Sequence, residues 1–280
     1  MSKKEKKDQF VIAYIADFAQ TETVLSYAVY MAQMLSKGLI LFHVCDPKYS
    51  ALTPGEAEEK LRQLQTQVEP GVGVTYAALK GETAKIVEVL PTLLGAVVVV
   101  AQADAKARRS SALSGKSILK NFAACKTAFL VAQEPLRDTS KMKNIAASID
   151  FKKESKDKVI WSSYFPRFGG SRMHILYYDY KDEFLRSKWY ANMTQLHKLY
   201  SSLNISFEPH IIESKSTYMD VNALRYAAAK GYGMLIAVTT KEKDGLEFFV
   251  GVQEQRTIVN DERIPILFLN PREDLYVLCD

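Results

Sequence analysis

The sequence predicts an α/β protein of two tandem domains, each with helices on both faces of a parallel sheet, and three observations predict it. Apolar runs such as Leu39 to Cys45 and Val97 to Ala101 lack the polar alternation of a half-solvated strand, as expected where both faces are covered. Segments of helical spacing separate these runs, and a strand, helix, strand unit makes its strands parallel. The second half of the chain then repeats the pattern of the first, and 280 residues suit two domains of ordinary size.

The elements follow in order. Ile12 to Ala16 forms a first strand that ends at Asp17. Val24, Leu25, Ala28, Ala32 and Leu35 recur at helical spacing, and Gly38 is placed to end that helix. Leu39 to Cys45 is the second strand, interrupted only by His43 and closed by Asp46-Pro47. Thr53 caps the second helix, Pro54 takes its first position and Glu56 completes a capping box, with the helix ending before Pro70-Gly71. Val72 to Leu79 alternates as a strand, residues 80–83 turn, and Ile86, Val87, Leu90 and Leu94 form the inner stripe of a third helix, with Pro91 a point of bending. The strand at Val97 leads through a polar loop into a fourth helix that opens near Ser114-Gly115 and turns Ile118, Leu119 and Phe122 inward. Ala128 to Val131 closes the first set.

The set then starts again. Ile145 to Phe151 echoes Ile12 to Phe18, and Asp179 follows Asp150 at the distance that separates Asp46 from Asp17. Leu185, Trp189, Met193, Leu196, Tyr200 and Leu203 make a helical stripe, Ile205 to Ile212 a strand, and Leu224, Ala227 and Ala228 belong to a further helix. Gly233 to Val238 matches the strand at Val97, and Ile264 to Leu269 matches the closing strand. A repeat of this length means two copies of one domain. The boundaries are a basic tail over 1–9, a first domain over 10–135, a charged linker over 136–143, a second domain over 144–272 and a tail over 273–280.

Composition narrows the function classes. The hydrophobic share of 48% and charged share of 25% are those of a globular protein, and no apolar run has membrane-spanning length. The start Met1 to Asp8 lacks the apolar core of a signal peptide, so a cytoplasmic protein is expected. Cys45, Cys125 and Cys279 are odd in number and form no CxxC pair, which argues against a disulfide framework or a zinc site. Part of the net charge of +5 lies in the lysine-rich start, which reads as a solvated end, and nothing interleaves aromatic and basic residues as a specific nucleic-acid surface does.

The motifs Ile15-Ala16-Asp17-Phe18, Phe42-His43-Val44 and Lys80-Gly81-Glu82-Thr83-Ala84, with the strand, loop and helix from Val97 to Ala124, resemble the universal stress protein family in its tandem form. The resemblance covers almost the whole chain twice, the second copy diverging more, with Tyr177 where the first has Val44. It implies two Rossmann-like, adenine nucleotide alpha hydrolase-like domains, each a five-stranded sheet in the order 3-2-1-4-5. Ligands of open α/β sheets bind outside the strand ends where the order reverses. Asp17 and the loop from Gln102 to Lys116 are therefore expected to share one cleft, and Asp150 and the loop from Thr239 to Val252 another. In nucleotide-binding members the aspartate and the end of strand 2 hold the adenosine, while a Gly-x2-Gly-x9-Gly-Ser/Thr loop wraps the phosphates. The cofactor-binding positions so implied are Asp17, Val44, Gly115, Lys116, Asp150 and Gly251.

The loops depart from that pattern. With Gly115 last, the earlier glycines fall on Gln102 and Ala105; with Gly251 last, they fall on Val238 and Lys241. Glycine lets backbone approach phosphate without a Cβ in the way, so its loss weakens such a cradle. The hydroxyl that follows is replaced by Lys116 and Val252. Lys106, Arg108 and Arg109, and Lys241 and Lys243, either grip phosphate in place of backbone or are solvated loop charges. Phe248 and Phe249 suggest that the second loop folds over its own cleft. Asp17 and Asp150 either bind ribose or adenine edges or cap the following turn. Ser114-Gly115-Lys116-Ser117 is no P-loop, because Ser110 stands where the earlier glycine belongs.

No nucleophile, base and orienting group assemble, and Glu58 and Glu59 face water. His43, His174, His197 and His210 share no ligand spacing, and His43 reads as a hydrogen-bonded core residue. A non-enzymatic stress-response protein is therefore expected, without a metal or a required cofactor, its domains paired as an internal pseudo-dimer through the fifth strands. A homodimer and an unknown protein partner stay open, and no membrane or specific nucleic acid is expected. The alternative is an adenine-nucleotide sensor that binds ATP or AMP in the first cleft.

Overall fold

The computed structural model of the chain describes residues 9–68, 71–213, 219–239 and 258–270. It divides into two units, residues 1–130 and 131–280. The first runs β1 (Phe10–Tyr14), α1 (Glu22–Leu35), β2 (Gly38–Cys45), α2 (Pro54–Gln65), β3 (Val74–Lys80), α3 (Thr83–Leu93), β4 (Ala96–Gln102), α4 (Gly115–Phe122) and β5 (Ala128–Ala132). Its strands lie in the order β3-β2-β1-β4-β5, and β1 pairs in parallel with both β2 and β4. The sheet is apolar on both faces, as its unalternating sequence requires: in β4, Val98, Val99, Val100 and Ala101 are all buried.

The second unit repeats this order. β6 (Asn144–Ser148), α5 (Ser155–Tyr164), β7 (Arg172–Tyr177), α6 (Glu183–Ser202), β8 (Phe207–Ile211), α7 (Met219–Ala229), β9 (Met234–Val238) and β10 (Ile266–Leu269) form a ladder β8-β7-β6-β9-β10. The order 3-2-1-4-5 thus holds twice.

The α2 capping box forms as its sequence predicts, with Glu56 N–H donating to the Thr53 hydroxyl and Thr53 N–H to the Glu56 carboxylate. Gly38 does not end α1. Ser36 takes the left-handed conformation, at φ 53°, and its N–H and that of Lys37 close the helix on Gln33 and Ala32. Gly38 instead opens β2 beneath the Phe10 ring, where an added Cβ would come within 2.9 Å. α3 runs through Pro91, which is buried.

The spacing signalled no helix over 155–164, where α5 lies. Its inner face is Ser155, Lys158, Val159, Ser162 and Ser163, too polar for an apolar stripe. Those hydroxyls are satisfied locally: Ser162 donates to the Val159 carbonyl at 3.0 Å and accepts from Tyr200 at 2.8 Å, and Ser163 donates to the Ile160 carbonyl at 2.7 Å.

Candidate functional site

In the first unit the strand order reverses at β1, whose neighbours are β2 and β4. A cleft of about 590 Å³ opens there, lined by Asp17 after β1, by residues 48–52 after β2 and by the loop after β4 from Asp104 to Leu113. Lys48, Lys60 and Arg108 bring three exposed cations to its wall, opposed by the carboxylates of Asp17 and Asp104. Asp17 accepts the N–H of Ala19 at 2.9 Å, so it caps its own turn and still faces the cleft. The two readings of this residue are compatible.

His43 forms the floor. Its Nδ1 lies 2.7 Å from the Ile15 carbonyl and its Nε2 3.0 Å from the Ser50 hydroxyl. The carbonyl can only accept, so Nδ1 carries the proton and Ser50 donates to Nε2. Burial lowers the His43 pKa against the raising effect of the Ile15 carbonyl, so the ring is neutral at neutral pH. Phe18 packs against it at 4.9 Å, and this is the core histidine that the sequence suggested.

The loop from Gln102 to Gly115 is largely bonded to itself. Asp104 N–H donates to the Leu113 carbonyl, Lys106 N–H to the Asp104 carboxylate and Ser111 N–H to the Arg108 carbonyl. Ser114 caps α4, accepting the Ser117 N–H at 3.2 Å while its own hydroxyl donates to the Arg109 carbonyl. The helix terminus that would greet a phosphate is therefore already occupied in part by a side chain. Gln102, at the first lost glycine, is buried and turns its amide toward Gln20 at 3.2 Å. Gly115 begins the helix without left-handed φ, Lys116 is exposed and Val44 is buried in β2 opposite Leu79; all three lie outside the cleft lining.

Sequence reasoning missed the β2–α2 loop. Tyr49 reaches from it to Ser117 and Asn121 of α4; burial disfavours its ionised form, but hydrogen bonds from Lys48, Ser117 and Asn121 outweigh that and lower its pKa. Lys48, Tyr49 and Ser50 follow Asp46-Pro47 without any periodicity, and only the fold turns them into the cleft.

In the second unit the aspartate equivalent to Asp17 is bonded to its own loop. Asp150 accepts from Lys152 N–H and from the Ser155 hydroxyl, and Asn192 donates to the carbonyls of Asp150 and Lys152, each at 2.8 Å. Phe151 packs edge-on against Tyr180, which joins Trp189 and Tyr177 in one aromatic cluster. Behind it, buried Lys158 donates to Ser148, which donates to Asp220. Gly251, Val252, Lys241, Lys243, Phe248 and Phe249 lie outside the described residues, as does Cys279. Glu59 faces water and pairs with Arg62, as expected of a helix surface. His174 and His210, which share no ligand spacing in the sequence, meet at 3.0 Å across β7 and β8.

No protein-family model matches the chain, and no curated protein does. Solved structures do. A universal stress protein from Archaeoglobus fulgidus DSM 4304 superposes with a TM-score of 0.69 at 11% identity, covering 95% of this chain and 97% of that one. A functionally unknown protein from Pseudomonas aeruginosa PAO1 gives 0.59 at 13% identity, covering 94% and 92%. The cytoplasmic domain of a prokaryotic cation chloride cotransporter gives 0.53 at 10% identity, covering 94% and 95%. The chain has the tandem Rossmann-like fold of the universal stress proteins that its motifs resemble. The same fold occurs in the cytoplasmic domain of a transporter, so the fold alone does not set the role. Among the described residues, no helix is long and apolar enough to cross a membrane.

Proposed function

We propose that the chain is a non-enzymatic, cytoplasmic stress-response protein whose first domain binds an adenine nucleotide, ATP or AMP, in the cleft beside Asp17. The observation that carries this reading is the open cleft at the strand reversal, of a size suited to a small-molecule ligand and ringed by Lys48, Lys60 and Arg108. Because the loop is self-bonded and Ser114 caps α4, the phosphates would be held by side-chain charge rather than by a backbone cradle. Affinity should then fall steeply with salt. The second domain would take no nucleotide, its aspartate being already bonded to the Ser155 hydroxyl.

Calorimetric titration with ATP and AMP tests this. Saturable binding by the wild type that is abolished in Asp17→Ala is the expected result. Absence of heat up to about millimolar nucleotide, corresponding to about −4 kcal/mol, would leave protein partners as the ligand class. The capped α4 terminus favours that second reading.

We further propose that the two domains pair as an internal pseudo-dimer. β5 stands last in the strand order of the first unit and β10 last in that of the second, and an apolar edge strand needs a partner. Cleavage of the linker at an inserted protease site should leave the halves co-eluting on a sizing column; free separation would refute the pairing.

A further inference from the structure

We propose that His174, Glu208 and His210 form a Zn²⁺ site on the second domain, apart from the nucleotide cleft. The sequence hides it: 36 residues separate the histidines, and only the β7–β8 ladder brings them together. His174 stands opposite Glu208 in the parallel register, and His210 lies two residues further along β8. Side chains two apart share a face, so all three project from one side of the sheet. Their ligand atoms all lie within 4.8 Å of one another.

The separations fit a metal polyhedron. His174 Nδ1 is 3.0 Å from His210 Nε2 and 3.4 Å from Glu208 Oε2, and His210 Nε2 is 3.9 Å from the same oxygen. A tetrahedral ion with bonds of about 2.0–2.1 Å has ligand edges of about 3.3–3.4 Å, so movements of a few tenths of an ångström would seat it. Two imidazoles and one carboxylate are a donor set that zinc accepts, leaving a fourth position for water. Glu208 is exposed and His210 partly so, which gives an ion a way in; His174 is buried.

The surrounding hydrogen bonds prepare the lone pairs. His174 Nε2 lies 3.0 Å from the Asn144 side-chain oxygen, which can only accept, so the Nε2 proton is fixed there and Nδ1 is left bare. The Tyr232 ring stacks on His174 at 4.0 Å and holds its plane. Without metal, His210 Nε2–H donates to that bare Nδ1, and Tyr226 donates to His210 Nδ1 at 3.3 Å. With metal, the neutral His210 exchanges tautomer: its proton moves to Nδ1 and is donated to the Tyr226 oxygen, freeing Nε2. No net proton is lost from either ring. β8 is the last strand of its sheet order, so the ion would clasp an edge strand to its neighbour.

The test is calorimetric titration of the untagged full chain, stripped with chelator, against Zn²⁺. Expected are one equivalent bound, affinity reduced at least tenfold in both His210→Ala and Glu208→Gln, and a smaller reduction in Asn144→Ala. Zn²⁺ should also raise the unfolding temperature of the wild type and not that of His210→Ala. Circular dichroism checks that each variant folds, and the partly exposed His210 and Glu208 are chosen over buried His174 for that reason. Absence of saturable Zn²⁺ binding by the folded wild type, or binding unchanged in both ligand variants, would overturn the site and leave an ordinary histidine pair.

Discussion

Asp17 and Asp150 end the same motif in the two copies, yet their carboxylates have different work. Asp17 accepts one backbone N–H and faces an open cleft, whereas Asp150 accepts both a backbone N–H and the Ser155 hydroxyl beneath an aromatic cluster. On this basis Lys60→Ala and Arg108→Ala should each weaken ATP binding several-fold and flatten its salt dependence, measured by calorimetry at two ionic strengths. A uniform loss with unchanged salt slope would mean that these cations do not meet phosphate. His43 offers a test independent of ligand. Its folded pKa lies below the ordinary 6.5, so the unfolded chain binds the proton first as pH falls. Its contribution to stability is complete above about pH 6.5 and is lost as pH falls toward the depressed folded value. NMR titration of the His43 ring should show it less than half protonated at pH 6.5, with the proton of the neutral form on Nδ1, and a ring half protonated or more at that pH would mean that burial does not lower its pKa.

At the scale of elements, the two copies hold their third helices differently. Asp46 accepts the N–H and hydroxyl of Thr83 at 2.8 and 2.9 Å, fixing the start of α3 to the end of β2. Burial alone would raise the Asp46 pKa, but the bonds from Thr83 and Lys48, with the Lys48 charge, reverse that and hold it below 3.8. Asp46→Ala should cost about 1–2 kcal/mol at pH 7 in urea unfolding, as the loss of a cap does. A depressed carboxyl pKa contributes stability above the unfolded value and loses it as pH falls through the folded one. The difference between wild type and variant should therefore shrink below about pH 4; an equal difference at both pH values would show that the charge is immaterial. Asp179, the sequence counterpart of Asp46, is exposed and pairs with Lys181, while Asp220 on α7 is bonded to Ser148 instead. Equal spacing kept the residue but not its contact.

For the whole molecule, the two units differ where their strand order reverses: Asp17 faces an open cleft in the first, whereas Asp150 is bonded within its own loop in the second. Saturating ATP should therefore slow hydrogen exchange in residues 9–130 and leave β6, β7 and β9 unchanged, because a ligand stabilises only what it binds, by about 2.7 kcal/mol at a hundredfold excess over Kd. Protection spread equally over both units would argue for nucleotide in each. The cotransporter domain that shares the fold shows that this architecture accepts unlike duties, which then reside in cleft and surface side chains.

The sequence by itself determined the strands, and their order followed only from the resemblance to the universal stress protein family. The valines of β4 admit no solvated face, and the Thr53 cap and the echo of Ile12 to Phe18 in Ile145 to Phe151 depend on neighbours within a few residues. It missed α5, whose inward face is largely polar, with Ser162 and Ser163 bonding back to their own helix, and leaves no apolar period to detect. Only the tertiary structure decided that Lys48 and Tyr49 belong to the cleft, that Asp150 is spent on its own loop, and that His174 meets His210. Local patterning follows burial against the nearest turn or ladder, which sequence spacing encodes directly. A site is made by side chains that crossovers bring together from distant strands, and no spacing along the chain records which of them will face each other.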